Sequence, residues 1–270
     1  MIDTHAHLNF SVYKDDIEEV IERSLGENVW MINVGSQYGT SKRAVDIAQK
    51  YKEGVYAAVG LHPIHLQTGL VKIKDDPEEV QFKSKEEEFD LGKYRELALD
   101  EKVVAIGEIG LDYYWKPKTK VRIEQFKEKQ KKVLLGQLNL AKDLSLPVIF
   151  HCRMGHDDLI EILRDHKIQG VIHCFTGNLE QAKQYLDMGM YIGLNGIIFK
   201  MNLDEIIEKM PLGRILLETD CPYLIPPQEE GRNEPVFIKH VAEKVAQIKD
   251  LKVEELIKIT TENAKKLFKI

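Results

Sequence analysis

The feature that most constrains this chain is a repeated alternation, eight times over, of a short apolar run and a longer segment with helical periodicity. The runs begin near Ile2, Trp30, Val55, Val103, Pro147, Val171, Tyr191 and Ile215. Most are continuous aliphatic stretches without polar alternation, as in Val103-Val104-Ala105-Ile106 and Ile215-Leu216-Leu217. Strands buried on both faces of a parallel sheet read that way. Between two of the runs, Val121, Phe126, Val133, Leu134, Leu138, Ala141 and Leu144 lay an apolar stripe along a long helix that ends before Pro147. Eight strand-then-helix units predict an α/β protein built as a closed (β/α)8 barrel, with a doubly wound open sheet as the alternative.

Length alone, 270 residues, would allow two domains. Barrels of this kind run to about 250 residues as one unit, however, and no Gly-, Pro- or Ser-rich linker divides the chain. One domain over 1–270 is expected. The single polar interruption, from Gln67 to about Asp90, carries Asp75-Asp76-Pro77-Glu78-Glu79 and Glu86-Glu87-Glu88 and reads as a solvated excursion on the barrel rim.

The ionisable residues fall in a pattern. His5 and His7 end the first run, Glu108 the fourth, His151 the fifth, His173 the sixth and Asp220 the eighth. In a parallel barrel all C-terminal strand ends share one face, so these six residues are predicted to converge on one mouth. In His5-Ala6-His7 the two imidazoles lie two residues apart on a strand, so both point to the same face. Four imidazoles and two carboxylates gathered without a cation would be costly, because buried carboxylates need partners. Six donors exceed the three or four of a closed zinc site. They suit two divalent ions about 3.5–4 Å apart, bridged by one carboxylate. Mixed imidazole and carboxylate leaves Zn²⁺, Mn²⁺, Mg²⁺ and Fe²⁺ all compatible.

Other residues take lesser parts. His62, in Gly60-Leu61-His62-Pro63, lies at the same face and either touches substrate or caps its loop. Arg153, two after His151, is placed either to meet a phosphate or to form a salt bridge at the rim. His65, His156, His166 and His240 sit in loop or helix contexts and are expected as surface imidazoles. Cys152 and Cys174 each follow a ligand candidate, so strand alternation predicts that they point outward to the helix layer and pack as small apolar groups. The direction of Cys221, past its strand, is left open.

Composition narrows the classes further. With 38 basic and 44 acidic residues the net charge is −6, which excludes a generally basic nucleic-acid coat. Three cysteines without paired spacing argue against a disulfide framework and point to a reducing compartment, with the cytoplasm as the expected location. No apolar run approaches the roughly 20 residues of a membrane span, and Met1-Ile2-Asp3-Thr4-His5 lacks the pattern of a signal peptide, so no membrane association is expected.

Taken together, the motifs Asp3-Thr4-His5-Ala6-His7-Leu8, Gly60-Leu61-His62-Pro63, Ala105-Ile106-Gly107-Glu108-Ile109-Gly110-Leu111-Asp112, Pro147-Val148-Ile149-Phe150-His151-Cys152-Arg153, His173-Cys174-Phe175-Thr176-Gly177, Leu217-Glu218-Thr219-Asp220-Cys221-Pro222-Tyr223-Leu224 and Arg232-Asn233-Glu234-Pro235 resemble the TatD family of metal-dependent deoxyribonucleases, within the amidohydrolase-like barrels. Thr260-Thr261-Glu262-Asn263-Ala264 is similar to the family's last helix. The resemblance implies a TIM barrel in which His5, His7 and Asp220 hold one metal, His151 and His173 the other, and Glu108 bridges them. It also implies hydrolysis of DNA phosphodiesters, single-stranded or at 3′ ends. By its own chemistry Asp220, a carboxylate able to contact both ion and water, is expected to take the proton from the attacking water. Two departures stand out: Ile64 separates Pro63 from His65 where relatives often place a second His, and the charged excursion after Gln67 is longer than usual. An ester or amide hydrolase, such as a deacylase of aminoacyl-tRNA, would use the same donors. A metal-binding protein without turnover is the remaining alternative.

Overall fold

The computed structural model describes residues 1–67, 69–73, 80–117 and 119–270. All eight predicted strands form: β1 (Ile2–Ala6), β2 (Trp30–Val34), β3 (Val55–Val59), β6 (Val103–Asp112), β7 (Val148–Arg153), β8 (Gly170–Ile172), β9 (Tyr191–Leu194) and β10 (Ile215–Leu217). They lie side by side in that order and every neighbouring pair is parallel. The seam between β10 and β1 is closed beyond the end of β10. There Ala6 bridges Cys221, the Asp220 N–H donates to the His5 carbonyl at 2.8 Å, and the His7 N–H donates to the Cys221 carbonyl at 2.9 Å. The sheet is thus a barrel and not an open wound sheet, and its closure coincides with three of the predicted site residues.

The helices α1 (Ile17–Gly26), α2 (Tyr38–Ala48), α3 (Leu91–Ala98), α4 (Lys120–Leu144), α5 (His156–Arg164), α6 (Leu179–Asp187), α7 (Asp204–Lys209), α8 (Ile238–Ile248) and α9 (Val253–Phe268) alternate with the strands. Their starts are chemically marked, as at α6, where Asn178 accepts from the Gln181 N–H at 2.9 Å and the Gln181 side chain returns to the Asn178 N–H. Phe126, Leu134, Leu138 and Ala141 bury the predicted stripe of α4, whereas Val121, in its first turn, is 70% exposed. None of the helices is long and apolar enough to cross a membrane among the described residues.

Ile149, Val171 and Leu216 stand two residues before His151, His173 and Glu218. Strand alternation therefore lays an apolar layer beneath an ionisable one. That apolar layer is continuous with Leu267 and Phe268 at the end of α9, which pack against the same cluster.

The charged excursion is exposed at Lys85, Glu86, Glu88 and Asp90, as a solvated rim segment should be, but it is also ordered. It contains an antiparallel hairpin of β4 (Gly69–Ile73) and β5 (Val80–Ser84), and its last acids are engaged with the barrel. Glu87 accepts from the Tyr38 N–H at 3.1 Å and from the Tyr94 hydroxyl at 2.7 Å, and Glu86 pairs with Lys129. The run Asp75 to Glu79 lies outside the described residues.

Candidate metal centre

The six strand-end residues do converge. Glu108 is the hub, and its two oxygens face different partners. Oε2 lies 3.5 Å from His5 Nε2 and 4.0 Å from His7 Nε2. Oε1 lies 2.7 Å from His151 Nδ1, 3.6 Å from His62 Nε2 and 3.7 Å from His173 Nε2. Asp220 Oδ1 sits 3.4 Å from His7 Nε2, 3.7 Å from His5 Nε2 and 3.8 Å from His173 Nε2. Of these residues only Asp220 is delivered from a backbone conformation that ordinary side chains seldom adopt, with φ +60°; Met154, Cys174 and Leu224 near the mouth share a positive φ.

The outer contacts of the imidazoles set which nitrogen faces inward. His7 Nδ1 is 2.8 Å from the Val34 carbonyl, so it carries the proton and leaves Nε2 as a lone pair toward the mouth. His5 Nε2 is only 3.1 Å from His7 Nε2. His173 Nδ1 lies 2.8 Å from Glu218, which turns Nε2 inward. An imidazole backed by a carboxylate or carbonyl is the usual outer support of a metal ligand. His62 is the converse: its Nδ1 accepts from the Ile64 N–H at 2.9 Å, so its Nε2 is a donor.

Electrostatics divides the cluster. Burial, helped by the neighbouring His173, holds the His5 pKa below the ordinary imidazole range. Burial and His151 together push His62 down to about 3. Burial also opposes charge on His151 and His173, but Glu108 and Asp112 carry the first up to about 9, and Glu218 and Asp220 the second up to about 10. Burial likewise disfavours ionised Glu108 and Asp220, yet the surrounding imidazoles outweigh it and both carboxyls stay below their usual range.

The donor set fits a cation. Carboxylate oxygens and the inward Nε2 lone pair of His7 meet beside imidazoles that give up a proton on ligation, and among the described residues four groups of three donors each lie within 4.8 Å of one another: His5, His7 and Asp220; His5, Glu108 and His173; His62, Glu108 and His151; His173, Cys174 and Asp220. The last group corrects the reading of Cys174. Strand β8 ends at Ile172, and a φ of +44° at Cys174 breaks the alternation, so its thiol turns toward Asp220. Cys152 is buried as expected, and Cys221 is fully buried beside Tyr13, with its thiol pushed up to about 12. His65 and His156 are also buried, not surface imidazoles. His156 packs on Phe175 and Tyr185, which come from elements distant in sequence.

Several supporting residues carry no role in the sequence reading. Asp112 lies 3.2 Å from His151 Nε2, and Glu218 backs His173. Asp3 accepts from the His5 N–H, the Thr219 N–H and the Thr219 hydroxyl, at 3.1, 2.9 and 2.6 Å. From α4, Gln137 makes paired hydrogen bonds to the backbone of Leu61, and Gln130 does the same at Asp112. Period two was the available signal for Asp3, which precedes His5 by one step on the same face of β1, whereas Glu218 and Asp220 lie past the end of β10.

A cavity of about 930 Å³ opens over the cluster. Phe10, Tyr223 and Leu224 line one side of the opening, and Trp115, Lys127 and Arg153 are among the residues on its wall. Arg153 does not reach the cluster; its guanidinium stacks 3.7 Å above the Tyr114 ring.

A parallel barrel with imidazoles and carboxylates converging at its C-terminal mouth defines the class, a metal-dependent hydrolase. The family model described as TatD related DNase matches residues 2–269, and the chain belongs to the TatD family. It is 40% identical to a Bacillus subtilis protein named uncharacterized metal-dependent hydrolase YabD, covering 100% of this chain and 99% of that one. It is 31% identical to the 3'-5' ssDNA/RNA exonuclease TatD of Pantoea ananatis, over 99% of both. The crystal structure of YJJV, a TatD homolog from Escherichia coli, superposes with a TM-score of 0.83 at 30% identity, covering 100% of this chain and 98% of that one.

Proposed function

We propose that this hydrolase cleaves DNA phosphodiesters with two divalent ions, working inward from the 3′ end of a single strand, with the whole 1–270 chain acting as one unit. The observation that carries the two-ion reading is the division of Glu108: one oxygen faces His5 and His7, the other His151, His62 and His173. A carboxylate so placed could serve both ions. His5, His7 and Asp220 would hold one ion, His151 and His173 the other. Ions held there would supply a water nucleophile at neutral pH and neutralise charge growing on the phosphoryl oxygens.

The protein's own groups do the rest. Asp220 remains ionised and takes the proton released as water attacks. His62 is neutral with an inward Nε2–H, which suits a hydrogen bond to a phosphoryl oxygen better than metal ligation. Arg153, held flat by Tyr114, meets a second phosphate on the cavity wall. The 3′ polarity and single-strand preference are carried over from the printed name of the Pantoea relative. The test is a metal-titrated assay of the purified protein on single-stranded DNA with either end blocked, an aminoacyl ester and a simple phosphate monoester. The reading expects turnover of DNA that stops when the 3′ end is blocked. Preference for the aminoacyl ester would move the same donors to carbonyl chemistry and overturn it.

A further inference from the structure

The strap Arg232-Asn233-Glu234-Pro235 takes no part in the chemistry above, yet it reaches the turn that carries Asp220. Asp220 has φ +60°, a conformation that a non-glycine residue keeps only when its surroundings fix it. On the barrel side, the backbone contact to His5 and the anchoring of Thr219 by Asp3 do part of that. On the outer side a single amide does it. Asn233 Nδ2 donates to the Thr219 carbonyl at 3.1 Å and to the Tyr223 carbonyl at 2.6 Å, one on each flank of Asp220.

We propose that Asn233 is a positioning residue that sets the Asp220 turn and so aims the Asp220 carboxylate at His5 and His7. The inference rests on the reading of Asp220 as a metal-site carboxylate. The residue type matters, because only a primary amide offers two N–H donors on one nitrogen together with an acceptor. The acceptor is used too: Asn233 Oδ1 takes the Glu234 N–H at 2.9 Å, which fixes the direction of the amide. The Asn233 carbonyl accepts from the Tyr13 hydroxyl at 2.5 Å, and the side chain is buried.

Its neighbours in the strap work differently. Arg232 forks onto Asp16 at 3.1 and 2.6 Å while its guanidinium lies 4.0 Å above the Tyr13 ring. Glu234 is held by Arg23 through two bonds of 2.7 and 2.9 Å. These ion pairs fix the strap on and beside α1, and none of them touches the 219–223 turn. Placement of the strap and aim of the carboxylate are therefore separable by mutation.

The experiment compares Asn233→Asp, Asn233→Ala, Tyr13→Phe, Arg23→Gln and Asp220→Asn. Three quantities are read: kcat and KM on single-stranded DNA, Mn²⁺ affinity by titration, and amide hydrogen exchange across 219–223. Misplacement of a reacting group by about 1 Å costs on the order of 10²-fold, so both Asn233 variants are expected to lose about that in kcat with KM little changed. Loss of an outer support weakens metal binding by about 10-fold or more, and Mn²⁺ affinity should fall accordingly. Exchange across 219–223 should speed up. Tyr13→Phe, which keeps the ring under Arg232, is expected to move all three readouts the same way by less; because its hydroxyl also meets the Cys221 thiol, Cys221→Ala is measured beside it, and an effect of Tyr13→Phe beyond that of Cys221→Ala carries the test should the Asn233 variants not fold. Arg23→Gln should lower Tm while leaving kcat and 219–223 exchange unchanged.

Asn233 and Tyr13 variants within about twofold of wild type in kcat, with unchanged exchange, would overturn the inference if Asp220→Asn is inactive. An active Asp220→Asn would instead remove the reading of Asp220. In that event the 219–223 exchange still decides whether Asn233 sets the turn.

Discussion

On the seam side of the mouth, His5 and His7 stand 3.4–3.7 Å from Asp220. On the far side, β6 and β7 close His151 onto Glu108 at 2.7 Å and onto Asp112 at 3.2 Å. The residue types are the same, but burial leaves the seam's His5 neutral while two carboxylates carry His151 up to about 9. A cation can enter the seam half without displacing a proton from His5, whereas it must displace one from His151. The halves therefore differ in what they hold when metal is absent, and Glu108 belongs to both.

Removing the shared residue should have the largest effect. Glu108→Gln takes away the negative charge that offsets repulsion between two cations, so at least one ion per chain should be lost. Because metal stabilisation of the transition state is worth several kcal/mol, kcat should fall by about 10³-fold or more. Metal analysis beside the rate checks this. A variant that keeps two ions and near-wild-type turnover would mean the halves do not share a bridge.

Asp220 separates ligand from base within the seam half. Proton abstraction contributes typically about 10²–10⁴-fold, so Asp220→Asn should lower kcat by at least about 10² even at metal concentrations that restore occupancy. Complete recovery at high metal would show that Asp220 only coordinates. Asp112→Asn, on the far side, should act instead through affinity, weakening metal binding by about 10-fold as other outer supports do.

Much of this comparison can be read from the chain, and the unread part has identifiable causes. Aliphatic runs mark the strands because a parallel barrel buries both faces, and the residue just past each run must lie at the mouth; that places His5, Glu108, His151, His173 and Asp220. Alternation fails where regular strand ends. β8 stops at Ile172, so the direction of Cys174 follows from its own φ and not from period two. His156 and His65 read as surface residues because the groups that bury them, such as Tyr185 and Phe175, come from other elements. Gln130 and Gln137 look like the polar face of an amphipathic helix. Only the fold shows that both turn inward to the ends of β6 and β3.

The proton held in the far half gives a pH signature. His151 and His173 have folded values of about 9 and about 10 against an ordinary 6.5, so the stability they contribute is complete below pH 6.5 and is lost as pH rises through 9 to 10. His5 and His62 have lowered folded values, so their contribution has the opposite sign: it is complete above pH 6.5 and is lost as pH falls from there toward the folded values, about 3 for His62. Metal-free protein should therefore be most stable near pH 6.5. Ligation keeps the imidazoles neutral, so saturating metal should flatten the alkaline fall. Urea midpoints from pH 5 to 10, with chelator and with metal, test this. A metal-free midpoint that climbs between pH 7 and 9 would refute the assignment of the proton to the far half.

The smallest effect is expected on the wall beyond the far half, where Arg153 stacks on Tyr114 and forms no ion pair among the described residues. A chain at −6 lacks a broad basic track, so affinity for DNA must come from the ion pair and a few wall groups. Each phosphate neutralised on a single strand contributes about 0.7 to the salt dependence, so two or three contacts predict a log–log slope no steeper than about −2. Arg153→Gln keeps a hydrogen-bonding side chain but removes the charge. It should make the slope shallower by about 0.7 and raise KM by roughly tenfold, with kcat nearly unchanged because Arg153 does not reach the reacting centre. Binding of the inactive Asp220→Asn protein across salt concentrations, with and without the Arg153 change, measures both. A wild-type slope near −6, or affinity that climbs steadily with strand length, would place the substrate along an extended surface outside the mouth and make the division between its two halves irrelevant to binding.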